Sequence, residues 1–297
     1  MINDYRKKAF SLTEISVVIL IIGILISGIS NGIDLYIDSR VASARSLTLG
    51  SKVPRIDGLV AWWETTLEKS FDKSESVDGA KITNWFDSNP INIERGKLNQ
   101  ANVSNKANYK TNIINSLPTI LFEGNDKYIA KNIFGESYSL FVVLISNSLG
   151  AGASNSPAYN NTIIIGADTP GTANDIIPLA LGAGYFKMFT GNNSTTLTSN
   201  YKINIATPYI VFASRNFENG ERKIMINNSN TVSDNSGGIK VLLNSNSDVG
   251  IGADSNTENI NLYNGYLAEI IIYNKILETQ EIESIHKYLS KKYSIKI

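Results

Sequence analysis

The sequence contains no cysteine and only one histidine in its 297 residues. Without cysteine the chain forms neither disulfide bonds nor thiolate metal sites, and its redox compartment stays undecided. The single histidine, His286, has no second imidazole with which to share a metal ion. We therefore expect a surface histidine on a C-terminal helix, and we expect no cofactor.

An excess of charge of one sign is also missing. Lysine and arginine together number 27, and so do aspartate and glutamate, which gives a formal net charge of zero. Proteins that bind nucleic acid usually carry a basic surface that matches the phosphate backbone. We therefore expect no nucleic acid among the partners.

A long uncharged run stands near the N-terminus. No charged residue occurs from Ile15 to Ile33, and these 19 residues would span about 28 Å as a helix, close to the thickness of a bilayer's hydrocarbon core. Arg6, Lys7 and Lys8 precede the run, so the positive-inside rule places the N-terminus in the cytoplasm. Everything after the helix is then expected outside the cytoplasm.

The helical pattern continues beyond this run. Apolar residues recur at spacings of four, four, three and three, at Ile33, Ile37, Val41, Ala44 and Leu47. Pro54 closes the pattern, because proline cannot continue a helix. The sequence therefore predicts one helix over residues 10–53, half embedded in a membrane and half amphipathic.

One carboxylate, Glu14, stands at the start of the apolar run, where a charge costs about 2.5 kcal/mol or more at mid-depth in a bilayer. It follows a basic leader, the small residue Ala9 and the aromatic Phe10, and it is the fifth residue counted from Phe10. This pattern resembles the prepilin signature of type IV pilins and of the pseudopilins of type II secretion. The resemblance covers residues 6–53.

The resemblance implies roles in processing and assembly. In that family a prepilin peptidase removes the leader, here residues 1–9, by cutting between Ala9 and Phe10, and it methylates the new N-terminus. Glu14 is then expected to pair with the amine of Phe10, or with that of a neighbouring subunit, and to set the stagger between subunits. The expected partners are prepilin peptidase, the bacterial inner membrane and other pilin or pseudopilin subunits. Ala9 departs from the family's usual glycine.

Two other interpretations of the N-terminus stay open. A secretory signal peptide also has a basic start and an apolar core, and Gly28 and Ser30 offer a small-x-small cleavage site. However, a signal peptide has no reason to open its core with an acid, and this run is longer than usual. A plain membrane anchor is the second alternative, and it leaves Glu14 unexplained.

Beyond Pro54 the sequence changes to short apolar runs separated by Asn, Ser, Gly and Asp clusters, as is typical of an all-β domain. Helical spacing returns at Ile282, Ile285 and Leu289, which predicts a short terminal helix. Strands are predicted over residues 59–63, 119–122, 139–146, 162–166, 179–181, 187–190, 209–214, 223–226, 249–252 and 266–273.

Four segments, in the right order, resemble the concanavalin A-like or laminin-G-like jelly rolls of bacterial and phage surface proteins. They are GLVAWWETT (58–66), DGAKITNWFDSN (78–89), NSLPTILFEGNDKYI (115–129) and GYLAEIIIYNKILETQEIESIHKYLSKKY (265–293). Trp62, Trp85 and Asp87 match the family's motifs. The resemblance implies a mainly β fold, in which a two-sheet jelly-roll sandwich over residues 56–297 follows the long N-terminal α-helix and ends in a short C-terminal helix.

Glycan hydrolases with this architecture usually carry two or three carboxylates at alternate positions of one strand. The reason is that retaining hydrolysis needs two carboxyl groups about 5 Å apart. The predicted strands lack this pattern, since Glu269 is followed by three isoleucines and Glu64 and Glu68 are expected at a solvated edge. We therefore predict no catalytic residues and a protein that is not an enzyme.

The candidates for ligand contact are Trp62, Trp85 and Asp87. Tryptophan faces suit the apolar faces of sugars, although such residues more often belong to a core. Asp78, Asp87 and Asn89 offer the oxygen ligands that calcium prefers, but their spacing matches no known loop, so no metal is predicted. Residues 150–161 form either a plain flexible loop or one that faces a ligand.

The two halves together predict a pilin-like or pseudopilin-like subunit of a type IV pilus or type II secretion filament, whose jelly roll binds a surface or a glycan. The precursor would lie in the bacterial inner membrane and the domain in the periplasm or outside the cell. A domain of about 240 residues is bulky for a helical array, which favours a minor or tip position. The alternatives are a membrane-tethered carbohydrate-active enzyme, a secreted lectin-like domain with an ordinary signal anchor, and a passive spacer.

Overall fold

A helix of 38 residues, α1 (Leu12–Leu49), begins the part of the chain that the structure describes. The structure is a computed structural model that describes residues 10–92, 96–131, 133–167, 175–190, 195–243, 248–255 and 262–297. Ser11 caps the helix by accepting the Glu14 N–H, and the Glu14 carboxylate accepts the Ser11 N–H in return. These reciprocal bonds satisfy two donors that a helix start leaves free.

The helix α1 is long and apolar enough to cross a membrane, and its apolar half makes no contact that buries it. Its last turns behave differently, since Ala44 and Thr48 are buried against the domain. The helix ends at Leu49, with Gly50 as its C-cap, a few residues before the predicted end at Val53. Pro54 lies in a short 3-10 helix (Val53–Arg55) that leads into the first strand.

The domain consists of two antiparallel sheets, each of eight strands within the described residues. In the first sheet the order is β14-β13-β12-β7-β16-β5-β4, and β1 also pairs with β16. The strands of the first sheet are β1 (Leu59–Glu64), β4 (Asn108–Ile114), β5 (Leu117–Glu123), β7 (Tyr138–Ser146), β12 (Pro208–Arg215), β13 (Arg222–Ile226), β14 (Asn230–Asp234) and β16 (Asn264–Tyr273).

The second sheet has the order β11-β10-β9-β8-β15-β6-β3-β2. Its strands are β2 (Asn84–Phe86), β3 (Lys97–Asn99), β6 (Tyr128–Ala130), β8 (Thr162–Ala167), β9 (Ile176–Gly182), β10 (Tyr185–Thr190), β11 (Leu197–Lys202) and β15 (Val249–Ile251). The main core lies between the two sheets. The strands β7, β8 and β9 are buried along their whole length because further apolar clusters cover their outer faces.

A second core covers the outer face of the first sheet. The helix α2 (Thr279–Tyr293) packs there, and its Ile285 and Leu289 belong to one apolar cluster with Phe141 and Phe212. Side chains from the last turns of α1, including Ala44, join the same core. The C-terminal helix and the end of the N-terminal helix are therefore held on one face of the sandwich.

The strand β16 organises the first sheet, because β7 pairs along one side of it and two strands share the other side. The first half of β16 pairs with β5 and the second half with β1. The register of β1 on β16 places Glu64 directly opposite Glu269.

The predicted fold class is confirmed. The structure is a mainly β, two-sheet sandwich with one long apolar N-terminal helix and a short C-terminal helix. Every predicted strand is present, usually one to three residues longer than expected. The strands that the sequence did not predict are β2, β3, β4, β6, β11 and β14, which are short or largely polar.

Candidate functional site

The predicted ligand-contact tryptophans belong to the core. Trp62 is 3% exposed, and its indole N–H donates to Glu269. Trp85 is fully buried, stacks on Phe71 and donates its indole N–H to the carbonyl of Glu64. Neither ring presents a face to solvent. The prediction that these tryptophans contact a ligand is therefore corrected: both are core residues, which was the alternative interpretation.

The third predicted contact residue, Asp87, is also buried. Its carboxylate accepts the backbone N–H groups of Trp62 and Asn89 and the side-chain amide of Asn92. Burial raises the pKa of Asp87 while these donors oppose that effect. Asp78 instead bonds Thr111, so the structure does not bring Asp78 and Asp87 together around one ion.

The prediction of a surface position for His286 is wrong. The side chain is fully buried on α2 and contacts the rings of Phe141 and Phe212. Its Nδ1 donates to the carbonyl oxygen of Ile282, one turn earlier. Burial lowers the pKa of His286 to about 4, so the imidazole is neutral at pH 7.

Glu64 and Glu269 form the centre of a buried polar cluster, so the expectation that Glu64 lies at a solvated edge is wrong. Glu269 faces Glu64 across the two strands β16 and β1. The ammonium of Lys292 on α2 lies 3.0 Å from Glu64 and 2.9 Å from Glu269, and all three side chains are fully buried. Two opposed carboxylates are tolerated here because a cation stands between them.

Neutral donors satisfy the remaining oxygens of the cluster. Glu269 accepts hydrogen bonds from Trp62, Tyr288 and Tyr293. Glu64 accepts bonds from Thr66, Leu67 and Ser70.

The balance of these contacts sets the charge state of the cluster. Burial pushes the pKa of Glu64 upward, but the charge of Lys292 and the hydrogen bonds outweigh it and lower the pKa to about 2. The pKa of Lys292 is raised, since the two carboxylates outweigh the effect of burial. The cluster is thus an ionised link between α2 and the first sheet.

The residues expected to direct processing lie at the start of α1. Phe10 is 80% exposed and stands two residues before the helix, whereas Ala9 lies outside the described residues. The Glu14 carboxylate is 2.7 Å from the backbone nitrogen of Ser11. Glu14 therefore points back towards Phe10 from inside the first turn.

An open groove of about 400 Å³, here called the loop groove, lies where the 150–161 segment crosses the outer face of the second sheet. Tyr159 is 44% exposed, and its ring stands edge-on to that of Phe189 at 5.4 Å. The described residues that line the groove are Asn155, Ser156, Pro157, Tyr159, Phe189, Thr195, Thr196 and Thr198. This groove combines aromatic surface with hydroxyl and amide groups.

A buried lysine holds the 150–161 segment against the sheet. The Lys187 ammonium, on β10, donates to the carbonyl oxygens of Ala153 and Ser156 and to the side chain of Asn161. The Ala158 N–H also donates to the Thr196 hydroxyl across the groove. Four hydrogen bonds therefore fix the segment as one wall of the groove.

A second cleft, of about 650 Å³, lies between the last turns of α1 and the segment after β1. Arg45 bridges it, because its guanidinium donates to the Thr66 carbonyl and to the Glu68 carboxylate. Glu68 is exposed, as predicted. Hydrogen bonds from Arg45 therefore connect the helix to the domain across this cleft.

No described protein family and no curated protein matches the chain by sequence. Solved structures do match its fold. A Trypanosoma rangeli sialidase in complex with the inhibitor DANA superposes with a TM-score of 0.51 at 15% identity, over 80% of this chain and 34% of the sialidase. The chain therefore corresponds to about a third of the sialidase.

A second match covers nearly all of the other chain. Domain 4 of AbnA, a GH43 extracellular arabinanase from Geobacillus stearothermophilus, in complex with arabinotriose, has a TM-score of 0.51 and 16% identity. The alignment covers 77% of this chain and 98% of that domain. At such identities the likeness establishes a shared fold.

The prediction that the protein is not an enzyme is contradicted by these neighbours, because the sandwich occurs in a sialidase and in an arabinanase. The sequence argument behind that prediction considered only carboxylates along one strand. Glu64 and Glu269 are paired across two strands, and both are fully buried. The β-sandwich of this chain is an architecture that carbohydrate-active proteins use.

Proposed function

We propose that the chain is a membrane-anchored protein whose β-sandwich binds carbohydrate in the loop groove. The observation that carries this proposal is the composition of the groove, in which Tyr159 and Phe189 stand among hydroxyl and amide side chains. Sugars present apolar C–H faces, which suit aromatic rings, and hydroxyl groups, which pair with polar side chains. The shared fold with an arabinotriose-bound domain supports it.

The anchor in this proposal is α1, whose large apolar side chains between Leu12 and Ile33 are exposed. A bilayer is an environment in which such a surface is stable, since it removes the apolar side chains from water. The loop groove would then lie on the side of the membrane that carries the domain.

Assembly as a pilin-like or pseudopilin-like subunit is the second candidate function, and the position of Glu14 favours it. Cleavage between Ala9 and Phe10 would create an amine one residue before the helix cap, within reach of a carboxylate that already bonds Ser11. An ion pair at this place is less costly than a lone charge in a membrane. The pair would involve the same subunit or its neighbour in a filament.

Carbohydrate binding is tested with the full chain in detergent micelles on a panel of polysaccharides and oligosaccharides. We expect at least one glycan to bind, and we expect Tyr159→Ala to abolish that binding. Tyr185→Ala is the matched control, because Tyr185 is a half-buried tyrosine at the start of β10, whereas the groove residue Phe189 lies near the end of that strand. Reducing-sugar release on the same panel reports hydrolysis, and failure to bind any glycan contradicts the proposal.

A further inference from the structure

We infer that the loop groove takes an uncharged oligosaccharide, bound by stacking and neutral hydrogen bonds without an ion pair. This inference rests on the proposed function and names the class of ligand for the same site. Its basis is the absence of charge among the described lining residues, which are Asn, Ser, Pro, Tyr, Phe and three Thr.

Among the described residues, two cations bond the walls of the groove, and both are already committed to other partners. Lys187 lies fully buried beneath the 150–161 segment, where its ammonium makes three hydrogen bonds at 2.8 to 3.1 Å. These three acceptors match the three donors of an ammonium group. Lys187 therefore has no donor left for a ligand.

Arg222 is the second cation near the groove. One guanidinium nitrogen donates to the carbonyl of Thr195, a residue of the lining. The others form a two-bond pair with the Asp234 carboxylate, at 2.9 and 2.5 Å, and the side chain of Arg222 is fully buried. Its charge is balanced by this carboxylate, so an acidic sugar entering the groove would lose water without gaining an ion partner.

The remaining groups of the groove suit a neutral sugar. The Thr196 oxygen accepts the Ala158 N–H, which leaves the hydroxyl proton free to donate to a ligand oxygen. The exposed face of Tyr159 provides an apolar surface for a pyranose or furanose ring, and Phe189 supports that ring from its edge. Stacking and hydroxyl contacts are the two interactions that an uncharged oligosaccharide needs.

The test compares neutral and acidic oligosaccharides of matched length on the full chain in detergent micelles. A suitable pair is galactan oligomers against oligogalacturonates with the same number of residues. We expect binding of neutral members to be at least about tenfold tighter than that of acidic members, and nearly insensitive to salt. Tyr159→Ala should remove it, whereas Tyr185→Ala should not.

A gain-of-charge variant strengthens the test. Thr198→Lys places a cation at a half-buried position of the groove wall, and it should raise the affinity for the acidic members while leaving the melting temperature nearly unchanged. Acidic sugars that bind wild-type protein as tightly as neutral ones, with an affinity that falls in salt, would overturn the inference but not carbohydrate binding. Binding of neither class would overturn both.

Discussion

Lys292 is the cation that allows Glu64 and Glu269 to lie opposite each other in the interior. We expect Lys292→Met to lower the free energy of unfolding by about 3–5 kcal/mol, because it leaves two buried carboxylates without their counter-charge. The measurement is denaturant unfolding of the full chain in micelles.

The control for this prediction is the neighbouring Lys291→Met, since Lys291 is exposed on the same helix. Exposed substitutions of this kind usually change stability by about 0.5 kcal/mol or less. Equal unfolding curves for the two variants would show that the cluster contributes no specific stability.

His286 gives the stability a pH dependence with a defined window. In the unfolded chain the imidazole titrates near pH 6.5, whereas in the folded chain its pKa is about 4, so the unfolded state binds more protons between these values. Stability therefore falls as pH drops from 6.5 to 4, by up to about 3 kcal/mol from this residue. We expect His286→Leu to lose this dependence in unfolding curves recorded at several pH values.

The His286 window is separable from that of Glu64. Because the pKa of Glu64 is lowered from 4.5 to about 2, its contribution is present above pH 4.5 and is lost below that value. If the free energy of unfolding changes equally in the wild-type chain and in His286→Leu between pH 6.5 and 4.5, a buried, neutral histidine is contradicted.

At the scale of elements, the start of α1 carries the processing prediction. Mass spectrometry of protein from cells with active prepilin peptidase should find a mature chain that begins with a methylated Phe10. An intact Met1 would indicate a plain anchor, and a start at Asn31 would indicate a signal peptide.

The assembly role of Glu14 is a separate prediction. Glu14→Ala should still insert and be cleaved, because removing a charge makes the helix more apolar, but it should enter sheared filament fractions poorly. Thr13→Ala is the control, since Thr13 is a neighbour in the same turn. Equal filament incorporation of the two variants would argue against the pairing of Glu14 with an amine.

The 150–161 segment is the second element with a prediction of its own. Lys187→Met removes the three bonds that hold this segment, so the segment must be ordered by the ligand instead. We expect glycan affinity to fall about tenfold, and not to vanish, because the variant keeps the stacking residue Tyr159. Lys202→Met, an exposed lysine on the adjacent strand β11, should bind as wild type does.

For the whole molecule, the end of α1 packs against the domain that the sequence predicts over residues 56–297. Ala44 and Thr48 of α1 are buried, and the Val53 carbonyl accepts the Tyr273 hydroxyl. A piece that starts at residue 56 loses these contacts, so it should melt about 5 °C or more below one that starts at residue 40. Equal melting temperatures would indicate that residues before 56 do not contribute to the stability of the domain.

Most of the fold was predictable, because long apolar runs such as β7 and β16 must be buried strands and the 3.6-residue period marks both helices. The strands that escaped prediction are edge or near-edge strands such as β11 and β14, whose residues alternate in exposure and include many polar ones. Their strand conformation depends on pairing with distant segments, which a local pattern does not contain.

The candidate sites were less predictable than the fold. Glu64, Glu269 and Lys292 meet only after folding, although a glutamate beside three isoleucines was a signal, because a buried carboxylate requires a partner. The sequence singled out residues 150–161 but not their neighbours in the groove, Phe189 on β10 and Thr196 just before β11. The match of Trp62 and Trp85 to family motifs indicated the core rather than a sugar site.

The junction between α1 and the domain has a mechanical consequence. Thr48 contacts Tyr288 and Arg45 bonds both Thr66 and Glu68, so the helix is clamped to the sandwich over its last turns. A tensile load applied at the loop groove would therefore be transmitted to α1 through packed contacts and not through a flexible linker. Tension on a bound ligand would then exert a torque on the apolar half of the helix.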